Sequence, residues 1–160
     1  MERLRPWLAA VPGRDGLERR GEGTILVVDD EPMVRDVAQA ILQRLGLAVV
    51  AAVDGEEAIA MFAAEPDRFA AVLLDLTMPR VSGAETFRRI REIRSEMPVI
   101  LMSGYNEEEA SGQFAGKGLA GFVEKPFSTR ALADAIKRVL GIRPPDVQPG
   151  AAAAVDRPGA

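Results

Sequence analysis

Three acids follow one apolar run directly: Thr24-Ile25-Leu26-Val27-Val28 leads into Asp29-Asp30-Glu31. A second run, Val72-Leu73-Leu74, ends at Asp75, a third, Val99 to Met102, at Ser103, and a fourth passes through Glu124 to Lys125-Pro126. Carboxylates gathered in one place raise one another's pKa and weaken the fold that holds them. A divalent cation removes the conflict. The chain has no His and no Cys, so the ligand set is all oxygen, which suits Mg2+ or Mn2+. Mg2+ takes one or two carboxylates, keeps several waters and accepts phosphate oxygens. The pattern therefore points to phosphoryl chemistry, with the Ser103 hydroxyl and the Lys125 ammonium at hand.

The same absences exclude other chemistry. Without His or Cys there is no zinc site of the usual kind, no Ser-His-Asp triad, no imidazole base and no thiol nucleophile or disulfide. A net charge of -4 and a pI near 5.0 argue against direct nucleic-acid binding, which needs a basic surface. No apolar run approaches the roughly 20 residues that cross a bilayer, and Met1 to Ala10 is too interrupted for a secretory signal. The expected setting is cytoplasmic, with no membrane partner.

The elements that must position these residues alternate. Apolar runs at Ile25 to Val28, Ala48 to Val53, Val72 to Leu74, Val99 to Met102 and Gly121 to Val123 are separated by segments of helical period. In the first such segment Val34, Val37, Ala38, Ile41, Leu42 and Leu45 form one stripe, with Pro32 at the start and Gly46 at the end. Asp54, Ser82 and Asn106 each precede a Glu by three residues, a helix-capping pattern, and Ser128 opens the last helix, with Leu132, Ala135, Ile136, Val139 and Leu140 inward. The expected fold is α/β: a doubly wound, flavodoxin-like five-stranded parallel sheet with five helices and strand order 2-1-3-4-5. In that order the crevice between strands one and three receives the carboxylates.

Residues 1–23 read as a flexible leader, 24–141 as the folded domain and 142–160, rich in Pro, Gly and Ala, as a disordered tail. Leu4, Trp7, Leu8 and Val11 share helical spacing, but Pro6 and Pro12 cut that segment short. The stretch Ser111 to Gly118 carries three glycines, so the fourth helix is expected to be short and loose.

Taken together, Val27-Val28-Asp29-Asp30-Glu31-Pro32, Leu74-Asp75-Leu76-Thr77-Met78-Pro79 with Ser82-Gly83, Met102-Ser103-Gly104-Tyr105 and Val123-Glu124-Lys125-Pro126-Phe127 closely resemble the receiver domain of two-component response regulators. The resemblance covers about residues 24 to 140. It implies that Asp75 is the phosphoacceptor, attacking a phosphohistidine on a partner histidine kinase or histidine phosphotransfer protein. It implies further that Asp30 and Asp75 ligate Mg2+ directly, Asp29 mainly through water, and Thr77 through its backbone carbonyl. Lys125 would pair with a phosphoryl oxygen, Ser103 would donate its hydroxyl, and Phe122 would turn inward as the switch aromatic. The Lys125-Pro126 bond would be cis. Thr77 and Tyr105 stand where the family tunes phosphoryl lifetime, and output would pass through the helix 4, strand 5 and helix 5 face. The chain would then be a phosphorylatable switch and not a turnover enzyme.

Singly, these residues have plainer readings: Asp29 and Asp30 as a cap beside a solvated charge, Ser103 as a turn residue, Lys125 as surface charge and Phe122 as core. Gly116-Lys117-Gly118-Leu119-Ala120-Gly121 fits a dinucleotide-binding pattern by letter, but a helix precedes it and a strand follows, the reverse of what that site needs. Two other functions compete. A phosphatase of haloacid dehalogenase type also uses a strand-end Asp, but wants a second Asp where Thr77 stands. A receiver-like interaction module would bind partners without phosphorylation. Having no His, the chain is expected to receive its phosphoryl group in trans, and with little sequence beyond Leu140 to reach its downstream protein target in trans; a free-standing receiver, a phosphate relay or sink, and the C-terminal receiver of a hybrid histidine kinase all fit.

Overall fold

A computed structural model describes residues 23–114 and 116–142. The leader over 1–23 and the tail over 142–160 therefore lie outside the described residues, except for their inner ends. The Gly23 carbonyl accepts from Ala48 N–H at 3.1 Å, and Ile142 is buried, its N–H donating to the Lys137 carbonyl.

The strands are β1 (Thr24–Val28), β2 (Ala48–Ala52), β3 (Phe69–Asp75), β4 (Val99–Ser103) and β5 (Gly121–Glu124). Between and after them come α1 (Pro32–Arg44), α2 (Gly55–Ala64), α3 (Gly83–Ile93), α4 (Glu107–Ser111) and α5 (Thr129–Leu140). All strand pairs are parallel, in the order β2-β1-β3-β4-β5. This is the doubly wound, flavodoxin-like arrangement that the alternation implies.

Successive strand residues face opposite sides, and here both sides are covered. Leu26, Val28, Val72, Leu74, Val99 and Leu101 pack with Phe62, Phe87, Ile90 and Phe114 on one face. Ile25, Val27, Ala71, Leu73, Ile100 and Met102 pack with Ile41, Leu42, Leu132 and Ile136 of α1 and α5 on the other. Double coverage is why the strands read as unbroken apolar runs instead of alternating ones. All of β3 is buried.

Helix starts follow the capping pattern. Asp54 accepts from Glu57 N–H at 2.8 Å, Ser82 from Glu85 N–H at 3.1 Å, Asn106 from Glu109 N–H at 2.8 Å and Ser128 from Ala131 N–H at 3.0 Å. Each bond satisfies one of the donors that a first helical turn leaves free. α1 starts on Pro32 and closes through Gly46 at φ 88°, with Leu47 N–H on the Leu42 carbonyl. α4 is five residues long and passes into a 3-10 turn at Gly112–Phe114.

The periodic reading errs at its edges. Val37 belongs to the expected inner stripe of α1 yet is 44% exposed, while Ala38, Ile41 and Leu42 are buried. The contact face of α1 is narrower than its apolar stripe. Val53, read as the end of the second strand, lies beyond β2 and is also exposed.

Candidate functional site

The register brings the strand ends level. Val28 of β1 pairs with Ala52 and with Leu74, Asp75 with Met102, and Ser103 with Glu124. Asp29, Asp75, Ser103 and Lys125 thus emerge at one edge of the sheet, astride the reversal of strand order between β1 and β3. Asp29, Asp75 and Ser103 are buried, while Asp30 is exposed.

The Lys125 ammonium ties the cluster together. Its Nζ lies 3.1 Å from Asp29 Oδ2, 3.3 Å from Asp75 Oδ1 and 3.3 Å from Glu31 Oε1. Lys125 N–H donates to the Ser103 carbonyl at 2.7 Å, which seats the start of the β5–α5 loop. The peptide between Lys125 and Pro126 is cis. Asp29 is held from behind: its Oδ1 accepts from Glu31 N–H at 2.9 Å, and its carbonyl accepts from Arg35 Nη1 at 2.8 Å.

One ammonium among these acids leaves the cluster short of positive charge. Burial, then the neighbouring Asp29 carboxylate, push the Asp75 carboxyl up to about 6 against the pull of Lys125. Burial also raises Asp29, although the Glu31 N–H and Lys125 oppose it. Burial alone would lower Lys125; the facing carboxylates of Asp75 and Asp29, with Glu31, raise it instead. The site is electrostatically frustrated as it stands.

A divalent cation fits that frustration. Asp29, Asp30 and Asp75 each offer an oxygen, and these oxygens lie within 4.8 Å of one another. The donors are hard and anionic, and Asp30 opens the cluster to solvent, as a hydrated ion requires. Thr77 lies two residues beyond Asp75 in the exposed part of the β3–α3 loop. Ser103 Oγ accepts from Tyr105 N–H at 2.9 Å, and Tyr105 is 55% exposed. Phe122, on β5, is half-buried and packs against the cluster that holds Phe87 and Phe114. The Gly116 to Gly121 pattern runs from a turn into β5, which is no nucleotide cradle.

Several contributors escaped the sequence reading. Glu31 is a partner of Lys125, and its place directly after Asp29-Asp30 is the one sequence signal for it. Gly83 is required sterically: its N–H donates to the Leu76 carbonyl at 3.0 Å, and a Cβ there would overlap the Asp75 carbonyl oxygen and sit 2.6 Å from Leu76 Cα. Arg80, at φ 63° in the β3–α3 loop, forms an ion pair with Asp54 of the β2–α2 loop. Nothing in a short window announces that pairing.

The family model for the response regulator receiver domain matches residues 25–137. The chain belongs to this family. Among curated relatives, the receiver is 35% identical over 124 residues to the transcriptional regulatory protein ResD of Bacillus subtilis, covering 78% of this chain and 50% of ResD. It is 32% identical over 120 residues to the sensor kinase CckA of Brucella abortus, covering 75% of this chain and 13% of CckA. The receiver thus spans half or less of these relatives. The response regulator TrrA of Thermotoga maritima, solved in complex with Mg2+ and BeF, superposes with a TM-score of 0.66 at 30% identity, covering 74% of this chain and 99% of that one. Among the described residues no helix of the receiver is long and apolar enough to cross a membrane.

Proposed function

We propose that this receiver is a phosphorylatable switch whose Asp75 accepts a phosphoryl group from the phosphohistidine of a histidine kinase or histidine phosphotransfer protein. Asp30 and Asp75 would hold Mg2+, or Mn2+, directly, Asp29 through water, and Thr77 through its carbonyl. When bound, the ion offsets charge on the transferring group and orients it, since phosphoryl transfer depends on positioning and electrostatics.

An Asp75 carboxylate oxygen attacks phosphorus as the donor nitrogen–phosphorus bond breaks, and the electron pair stays on the imidazole of the donor. Metal-free, with its carboxyl at about 6, Asp75 is mostly ionised at pH 7 and able to attack. Lys125, already 3.3 Å from Asp75 Oδ1, can turn its ammonium to the incoming phosphoryl oxygens. Ser103 Oγ accepts one hydrogen bond, and its own proton can be donated to that group. Movement of Ser103 would draw Phe122 inward and alter the face formed by α4, β5 and α5. That is a population shift driven by differential contacts in two states. A downstream protein recognising that face completes the reading, in a cytoplasmic setting.

The observation that carries this reading is Lys125 held between Asp29 and Asp75 beside a three-carboxylate cluster. The similarity to a sensor kinase and to a transcriptional regulator supports a place between kinase and output. Incubation with acetyl phosphate and Mg2+ followed by intact mass should add one phosphoryl group to wild type and none to Asp75→Asn. No addition to wild type, or equal addition to the variant, would favour a phosphorylation-independent interaction module. Steady turnover of an aryl phosphate would revive a phosphatase of haloacid dehalogenase type.

A further inference from the structure

Between Asp75 and α3 the chain passes through residues 76–82, the loop that carries Thr77. Its two ends are pinned: Leu76 N–H donates to the Met102 carbonyl at 2.9 Å, and Gly83 N–H to the Leu76 carbonyl at 3.0 Å. Leu76 and Met78 are buried, but Thr77, Pro79 and Arg80 are exposed. The outer part of the loop needs another hold.

Arg80 shows where that hold is. It stands in the left-handed region at φ 63°, a costly conformation for a residue with a side chain, which persists only where surroundings impose it. Its guanidinium pairs with Asp54 Oδ2. The other Asp54 oxygen accepts from Glu57 N–H at 2.8 Å, so the carboxylate is fixed as the cap of α2. The next residue, Gly55, packs so closely that a Cβ would collide with Thr86 Oγ1 and lie 3.1 Å from Val81 Cβ. Thr86 Oγ1 in turn donates to the Ser82 carbonyl at 2.8 Å. Asp54 is therefore a rigid post beside the loop, outside the Asp29, Asp30 and Asp75 cluster.

We infer that Asp54 and Arg80 form a strut that positions the 76–82 loop for divalent-cation binding, acting through the Thr77 carbonyl. The inference rests on the metal reading proposed above. Both are positioning residues. Because the pair is of opposite sign, geometry and bare charge predict different things. If the two acted only through space, losing the Arg80 cation would tighten binding of a dication and losing the Asp54 anion would weaken it. A strut weakens in the same direction whichever end is removed.

The test is calorimetric titration of Mg2+ into the metal-free chain, for wild type, Asp54→Asn, Arg80→Ala, the double variant and Arg80→Lys, with melting curves recorded without Mg2+. Asn keeps the helix cap. Both single variants should bind Mg2+ about three- to ten-fold more weakly than wild type, as befits loss of a partly exposed pair. The double variant should be no weaker than the weaker single, and Arg80→Lys should recover part of the loss. Metal-free melting should move by only a few degrees, which separates positioning from general destabilisation. Opposite shifts for the two single variants, or wild-type affinity in both, would overturn the strut alone. A wild type without saturable Mg2+ binding would overturn the metal reading and the strut with it.

Discussion

Lys125 Nζ sits 3.3 Å from Asp75 Oδ1 although the two residues are 50 positions apart in the chain. The same ammonium reaches Asp29 Oδ2 at 3.1 Å. A single cation thus stands between two buried acids that would otherwise repel, and the behaviour of the site follows from that shortage of positive charge.

Removing the cation should expose it. Lys125→Met leaves Asp29 and Asp75 buried without their ammonium partner. The metal-free variant should lose ~2 kcal/mol at pH 7.5, less than a fully buried pair would lose because Lys125 and Glu31 keep some contact with water. Below pH 5, where Asp75 is protonated and needs no partner, its share of the loss should vanish. Urea unfolding at the two pH values, with chelator present, measures this; an equal loss at both would contradict it.

The raised carboxyl of Asp75 has a signed consequence for stability. Its folded value of about 6 lies above the ordinary 3.8, so between those values the folded chain holds a proton that the unfolded chain has given up. The Asp75 contribution to the stability of the metal-free protein therefore falls as pH rises from 4 to 6 and stays reduced above that. The penalty is on the order of 2–3 kcal/mol. Asp75→Asn should be more stable than wild type at pH 7.5 without Mg2+, with the gap closing below pH 4. Mg2+ should stabilise wild type at pH 7.5 and do little at pH 4.5, by thermal melting.

Gly83 and Gly104 should respond very differently to alanine. At Gly83 the new methyl meets the Asp75 carbonyl and Leu76, while at Gly104 nothing lies within 4 Å. Gly83→Ala should cost ~2 kcal/mol or more, and Gly104→Ala within ~0.5 kcal/mol of nothing. Chemical denaturation of both variants separates the cases. A mild Gly83→Ala would show that α3 can move away from the end of β3 without loss.

Arg91 should govern the approach to β5. It donates to the carbonyls of Met97 (2.9 Å), Lys117 (3.2 Å) and Gly118 (2.7 Å), and its guanidinium lies 4.8 Å from the centre of the Phe87 ring. Phe87 meets Phe114 edge-on at 5.3 Å between centroids. Arg91→Ala should lower stability by ~1–2 kcal/mol. It should also speed amide exchange at Lys117 and Ala120 more than at Leu73 in the sheet centre. Uniform acceleration would show a global effect instead.

Local windows of the sequence carried much of this. Strand positions, the caps at Asp54, Ser82, Asn106 and Ser128, and the shortness of α4 are legible because propensity, capping and glycine content act over a few residues. The covered faces of the sheet were legible too, since a strand buried on both sides must read as a continuous apolar run, as Val72-Leu73-Leu74 does. That acids, a hydroxyl and a lysine end those runs followed directly, and with parallel strands their common edge followed as well.

Tertiary structure alone decided the rest. Which of the acids are buried, Asp29 and Asp75 but not Asp30, depends on neighbours contributed by distant strands. So do the reach of Lys125 to Glu31, the closeness of Gly83 to the Asp75 carbonyl, the tie from Arg80 to Asp54 and the exposure of Val37. Each rests on how near atoms of different segments come, which packing and register set. A periodic pattern says which face a residue prefers; it does not say how near the facing atoms will come.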